Sequence, residues 1–177
     1  QLSSVLGVEV DGTSVYVADT FNQRVQKFDT GGNYVTQWGG SGNGDGQFYY
    51  PIDLATNGTG HVYVLDLDLE RVQKFTTGGA YLAQWGSYGS GNGQFDIPSA
   101  IAADGAGNVY VIEGSNHRVQ KFDGDGAYLT QWGGLGSGDG QFNTPFGLAA
   151  DAAGNLYVSE AMNYRVQKLV AGGSVAL

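Results

Sequence analysis

The chain has 177 residues, 41% of them aliphatic or aromatic, enough for one well-buried domain. Charged residues are only 14% and sum to −9, and all eight basic residues lie in one recurring motif. No basic patch is left to meet a phosphate backbone or an anionic membrane surface, so nucleic acid and membrane partners are not expected. The lack of cysteine excludes disulfides and thiolate metal sites, and no apolar run nears the ~20 residues of a membrane-spanning helix. The sequence opens on Gln1 rather than Met, as expected of a processed mature chain or an excised fragment.

The chain repeats itself. Arg-Val-Gln-Lys begins at Arg24, Arg71, Arg118 and Arg165, Tyr-Val at Tyr16, Tyr63, Tyr110 and Tyr157, and Gly-Gln-Phe at Gly46, Gly93 and Gly140, always 47 residues apart. The predicted units are 1–47, 48–94, 95–141 and 142–177 of a single domain, 1–177. Within each, four short strands follow in order, clearest in the third unit. Strand a is predicted over Ser99–Ala103 and ends in the turn composition Asp104-Gly105-Ala106-Gly107. Strand b, Asn108–Ile112, is rich in β-branched and aromatic residues. A polar turn, Ser115-Asn116-His117, leads to strand c, Arg118–Asp123, and Gly124-Asp125-Gly126 to strand d, Ala127–Trp132. Gly133–Gln141 then connects to the next unit. The last strand, Ser174–Leu177, lacks the Tyr and the Gln-Trp-Gly, and Ser4 stands where other copies have Pro.

Val119 alternates with Gln120 and Phe122, so apolar groups fall on both faces of the sheet. That suits a sheet sandwiched between two others. A four-stranded unit of this length is the blade pattern of a β-propeller. The expected fold is all-β, with four antiparallel blades. They form either a closed four-bladed ring or an arc completed by self-association, for instance eight blades from two chains.

The stretches Pro145–Asp151, Gly154–Val158 and Asn163–Leu169 read Pro-x-Gly-Leu-Ala-x-Asp, Gly-Asn-x-Tyr-Val and Asn-x-Arg-Val-Gln-Lys-Leu. This pattern resembles the NHL repeat, and the connector at 136–142 is similar to those of bacterial NHL proteins. The resemblance runs the length of the chain and implies a propeller used as a binding platform, with a minority of relatives being lyases or hydrolases. NHL propellers usually have six blades, so four copies depart from the family pattern.

Asp19, Asp66, Glu113 and Glu160 hold equivalent places at the end of strand b. A ring of carboxylates suggests cation binding or acid–base work. The structural alternative pairs each with the Arg five residues on, and a feature in every copy is best explained by what every blade needs. By the same reasoning the Arg-Val-Gln-Lys motifs are packing ion pairs. Asp45, Asn92 and Asp139 lie in flexible-looking Gly-rich connectors whose spacing matches no calcium loop. Trp38, Trp85 and Trp132, candidate sugar platforms, are expected to pack an outer edge or the core instead. The two histidines, His61 and His117, are non-equivalent and lack metal-ligand or triad spacing. No catalytic residue, metal site or cofactor is therefore assigned.

Function is expected where the copies differ. The b–c turns carry Phe21, Asn22, Leu67, Asp68, Leu69, Asn116, His117, Met162 and Tyr164 on one face, whereas the a–b and c–d turns opposite are nearly identical. The expectation is a non-catalytic binding or assembly module, extracellular or at the cell surface. Its partners would be a second copy or another propeller-completing chain, and a protein or glycan ligand. A propeller enzyme would need non-repeating His, Asp or Glu side chains to converge on the channel. A lectin-like module would carry several equivalent glycan sites.

Overall fold

A computed structural model describes residues 1–170 and the backbone of 175–176. The first blade comprises β1 (Val5–Val10), β2 (Ser14–Asp19), β3 (Arg24–Asp29) and β4 (Tyr34–Gly39). The second has β5 (Pro51–Thr56), β6 (His61–Asp66), β7 (Arg71–Thr76) and β8 (Tyr81–Trp85). The third has β9 (Pro98–Ala103), β10 (Val109–Glu113), β11 (Arg118–Phe122) and β12 (Tyr128–Gly133). The fourth has β13 (Pro145–Ala150), β14 (Leu156–Glu160), β15 (Arg165–Leu169) and β16 (Val175–Ala176). Each blade is a four-stranded antiparallel meander. The innermost strands β1, β5, β9 and β13 pack one on the next around a common axis, giving a four-bladed β-propeller. Of the strand read over Ser174–Leu177, Ser174 and Leu177 lie outside the described residues, and Val175–Ala176 pair with Lys168 and Leu169.

Three cores, each between consecutive blades, hold the array together. Between blades one and two, Tyr16, Ala18 and Val25 meet Leu54, Val62, Val64 and Phe75, with Phe48 from the connector filling the gap. Tyr63, Leu65 and Val72 face Val109, Val111 and Phe122 around Phe95. Tyr110, Ile112 and Val119 face Leu156, Val158 and Leu169 around Phe142. The two-sided apolar pattern of the sequence thus buries one face forward and one backward. The tryptophans belong to these seams rather than to an outer edge. Trp38 leans on Phe75 of the next blade, with ring centroids 5.8 Å apart, and Trp85 on Phe122 at 5.9 Å.

The connectors are fastened rather than slack. Arg118 donates to the carbonyls of Ser90, Gly91 and Gln94, and Gln120 accepts from Gly93 and donates to Gln94. Arg71 and Arg165 grip the preceding connectors in the same way. Gly86 permits the tight exit from the blade. Its φ is +108°, and a Cβ there would lie 2.5 Å from the Phe95 ring and 2.6 Å from the Glu70 carbonyl.

Among the described residues, two blade faces have no neighbouring blade. Val25, Val72 and Val119 are fully buried, but their equivalent Val166 in blade four is 65% exposed, and Tyr157 is 37% exposed where Tyr16 and Tyr63 are covered. At the other end Phe28 and Val15 are only half-buried. Arg24 donates to the Gln1 carbonyl, and to Gln37 as Arg71 does to Gln84 and Arg118 to Gln131.

Candidate functional site

The repeated carboxylates resolve first, because they look most like chemistry. Asp19, Glu113 and Glu160 are buried and bound to Arg24, Arg118 and Arg165 at 2.7, 2.7 and 2.6 Å. Each also accepts from an asparagine of the b–c turn, Asn22, Asn116 or Asn163. Every lone pair is thereby committed to blade structure. Blade two departs from the expected pairing. Leu69 stands where the others have that asparagine, and Asp66 accepts instead from the N–H groups of Tyr49 and Tyr50, each at 3.0 Å. Burial pushes the Asp66 carboxyl upward, and Arg71 keeps a buried Nε without a partner. Among the described residues no group of three His, Asp or Glu side chains is placed to hold a metal ion.

The variable turns lie as the sequence arranged them, on the face where the strands b end. Phe21, Asn22, Asp68, Met162 and Tyr164 are exposed, and Leu67, Leu69, Asn116 and His117 are half-buried. They do not form one cluster. Asn22 and Asn116 spend their amides on the carboxylates, and His117 accepts the Thr144 N–H at 3.2 Å. The last residue of each turn, Gln23, Glu70, His117 or Tyr164, is left-handed, with φ between 42° and 53°. A strain repeated in all four copies belongs to the turn, not to a site.

At the centre of the same face the inner strands open into a cavity of about 550 Å³, within the usual range of ligand sites. Of the predicted residues only Leu67 lines it. Phe21 reaches its rim indirectly, 5.9 Å from the Tyr50 ring. The walls are Leu6, Ile52, Ile97, Pro98, Phe146 and Leu148, and Asp53 is the single charged lining residue. Ile97 and Phe146 are 57% and 67% exposed. Ile97 also holds φ at 49°, a costly conformation for a β-branched side chain. The 47-residue register runs Leu6, Asp53, Ala100, Gly147 along one row and Val5, Ile52, Ser99, Phe146 along the next. These rows differ between copies as much as the turns do. The criterion that selected the turns would have found them had it been applied to the start of strand a.

Asp53 sits between two neighbouring strands. Its Oδ2 accepts the Ile101 N–H at 3.0 Å, tying blade two to blade three, much as Glu9 ties blade one to Thr56. Burial raises the Asp53 carboxyl to about 6, against the pull of the Ile101 and Leu54 N–H groups and with a further push from Glu9. The folded chain therefore holds this proton more tightly than the unfolded one. Stability from this group is present below pH ~4 and is lost as the pH climbs to about 6. Asp53→Asn keeps the acceptor for Ile101 and removes that loss. In urea titrations it should gain about 1–2 kcal/mol at pH 7.5, after allowance for solvent screening, and almost nothing at pH 4. An equal effect at both values would refute the assignment.

The profile of the NHL repeat matches residues 95–122, from the connector Phe95 through the end of β11. That stretch of the third blade is similar to the NHL repeat. The other three blades share its strand order, with arginines at the same 47-residue register, Arg24, Arg71 and Arg165. No curated protein is matched by the sequence. Among solved structures, a streptogramin B lyase is 13% identical with a TM-score of 0.74, covering 98% of this chain and 54% of that one. A virginiamycin B lyase from Staphylococcus aureus is 14% identical with a TM-score of 0.67, covering 99% and 53%. The hydrazine synthase of Kuenenia stuttgartiensis is 12% identical with a TM-score of 0.70, covering 99% and 51%. At these identities the likeness is one of fold. The chain spans about half the length of each of these structures.

Proposed function

We propose that this NHL-type propeller is a non-catalytic binding module whose ligand seats in the axial mouth, bordered by the variable turns. The observation that carries the reading is the cavity itself. It is apolar and ligand-sized, and much of its wall, including Leu6, Ile52, Ile97 and Phe146, comes from positions at which the four blades differ. A non-catalytic role is supported by the engagement of the ionisable groups. Asp19, Glu113 and Glu160 are consumed by Arg and Asn, Asp66 by two backbone N–H groups, and His61 and His117 lie outside the cavity lining. Saturable, one-to-one binding of the neutral dye Nile red is expected, and Ile97→Ser with Phe146→Ser should abolish it while leaving the melting temperature within a few degrees. Dye binding unaffected by the pair would remove the mouth from the proposal.

The assembly half of the proposal rests on a different observation, the uncovered faces of blades one and four. Each seam between blades buries a Tyr and a Val forward against apolar residues and a Phe of the next blade. Tyr157 and Val166 present the forward half of that seam, and Val15 and Phe28 the backward half. A second copy of the chain carries the complement of both. Light scattering should accordingly find a dimer or larger species, and Tyr157→Lys with Val166→Lys should shift it to monomer without unfolding blades one to three. A wild-type chain that stays monomeric across the micromolar range would overturn this.

A further inference from the structure

We infer that the axial mouth takes the ammonium group of an amphipathic amine, with the Asp53 carboxylate as its counter-ion and Ile52, Ile97, Phe146 and Leu148 around its apolar body. The inference rests on the mouth being a ligand seat and adds the chemical class of the ligand. Two properties of the cavity select that class. Its surface is hydrocarbon apart from a few polar groups, so an apolar body gains by entering. Its one charged lining residue is an acid for which, among the described residues, no Lys or Arg forms an ion pair.

The surroundings of Asp53 leave its charge uncompensated. Its protein donors are the backbone N–H groups of Ile101 and Leu54. On β1 the charged neighbour is Glu9, which has the same sign. The facing strand β9 carries no titratable residue. On the adjoining β6, Asp66 is turned to the Tyr49 and Tyr50 N–H groups and is not in the lining. Ser99 donates its hydroxyl to the Pro145 carbonyl at 3.4 Å rather than to Asp53. A carboxylate walled by hydrocarbon repels anions and gains little from a neutral guest. An ammonium supplies both the charge and charge-assisted hydrogen bonds. The tie to Ile101 holds the carboxylate in place before the guest arrives, so little ordering is left to the binding step.

The test is calorimetric titration with 2-phenylethylammonium and its neutral counterpart 2-phenylethanol, on the wild-type chain and Asp53→Asn, at pH 7.5 and pH 5. The wild type should prefer the ammonium by about tenfold or more at pH 7.5. That preference should shrink at pH 5, where Asp53 is mostly protonated. Asp53→Asn should lose the preference at both pH values and bind the alcohol as the wild type does. If both probes bind equally to both proteins, the ammonium assignment is overturned while the seat survives. If neither binds but Nile red still does, the ammonium assignment fails in the same way. If the dye fails too, the seat itself is lost.

Discussion

Arg118→Met should cost about 3–5 kcal/mol of unfolding free energy, the largest effect expected of any exchange of a charged residue in this chain. Arg118 is nearly buried and joins three structures at once. Its Nε donates to Glu113 at 2.7 Å, its Nη1 to Ser90 and Gln131, and its Nη2 to Gly91 and Gln94. Removing it strands a fully buried carboxylate, leaves the Ser90 carbonyl without its donor and takes one of two donors from each of the Gly91 and Gln94 carbonyls. The size of the loss follows from the residue left behind, so Arg118→Met combined with Glu113→Gln should recover a large part of it. Arg24→Met offers the internal control. Arg24 is 22% exposed at its side chain and makes one bond to the segment before it where Arg118 makes three, so its loss should cost less, although it too leaves a buried carboxylate, Asp19. Chemical denaturation of the three variants beside the wild type decides the matter, and equal costs at Arg24 and Arg118 would contradict the connector-clasp account.

Phe95→Ala should be nearly as damaging, at about 3–5 kcal/mol. Phe95 is fully buried and plugs the seam between blades two and three, against Phe122 at 5.8 Å and against the backbone at Gly86. A cavity opened there lies between two sheets fixed by their own hydrogen bonds, so it cannot collapse cheaply. Phe28→Ala, the equivalent of Phe75 and Phe122 on the uncovered side of blade one, should cost about 1–2 kcal/mol in the monomer, because its ring is already half in water. In the self-associated chain that same substitution should cost more, since the seam then covers Phe28. Melting curves at low and high protein concentration would separate the two values.

Much of this architecture was legible because the repeat is uninterrupted. The β-branched and aromatic run Val109–Val111 gave the strand, and Asp104-Gly105-Ala106-Gly107 the turn, in which Asp104 accepts from the Ala106 and Asn108 N–H groups and from the Tyr110 hydroxyl. The Asp–Arg and Glu–Arg pairs were legible because a five-residue spacing across a tight hairpin places the two ends opposite each other. Blade two escaped that reading. Its Leu69 removes an amide that only tertiary geometry shows to be a ligand of the carboxylate. For the tryptophans the choice between core and outer edge stayed open for a related reason. Position at the end of a strand does not say which way a sheet leans, and Trp38 turns out to serve the next blade. Asp53 went unmarked because a lone acid in an inner strand has no motif. Its meaning comes from the hydrocarbon of three other blades, which the chain brings together only when the inner strands gather around the axis.

Every seam in this protein points one way. The Phe of a connector and the grip of the next blade's arginine meet the Tyr and Val of the blade before, never the reverse. Contacts of that kind are head-to-tail, and head-to-tail contacts have two outcomes: they close when the rotation per step divides a full turn, and otherwise they run on as a helical filament. The step is set where the inner strands touch, by residues such as Gly7, whose missing side chain lets β1 come within contact of Asp53 and Ile52. Exchanging one small residue there would alter the angle between neighbouring blades, and through it whether association ends in a disc or in a fibre.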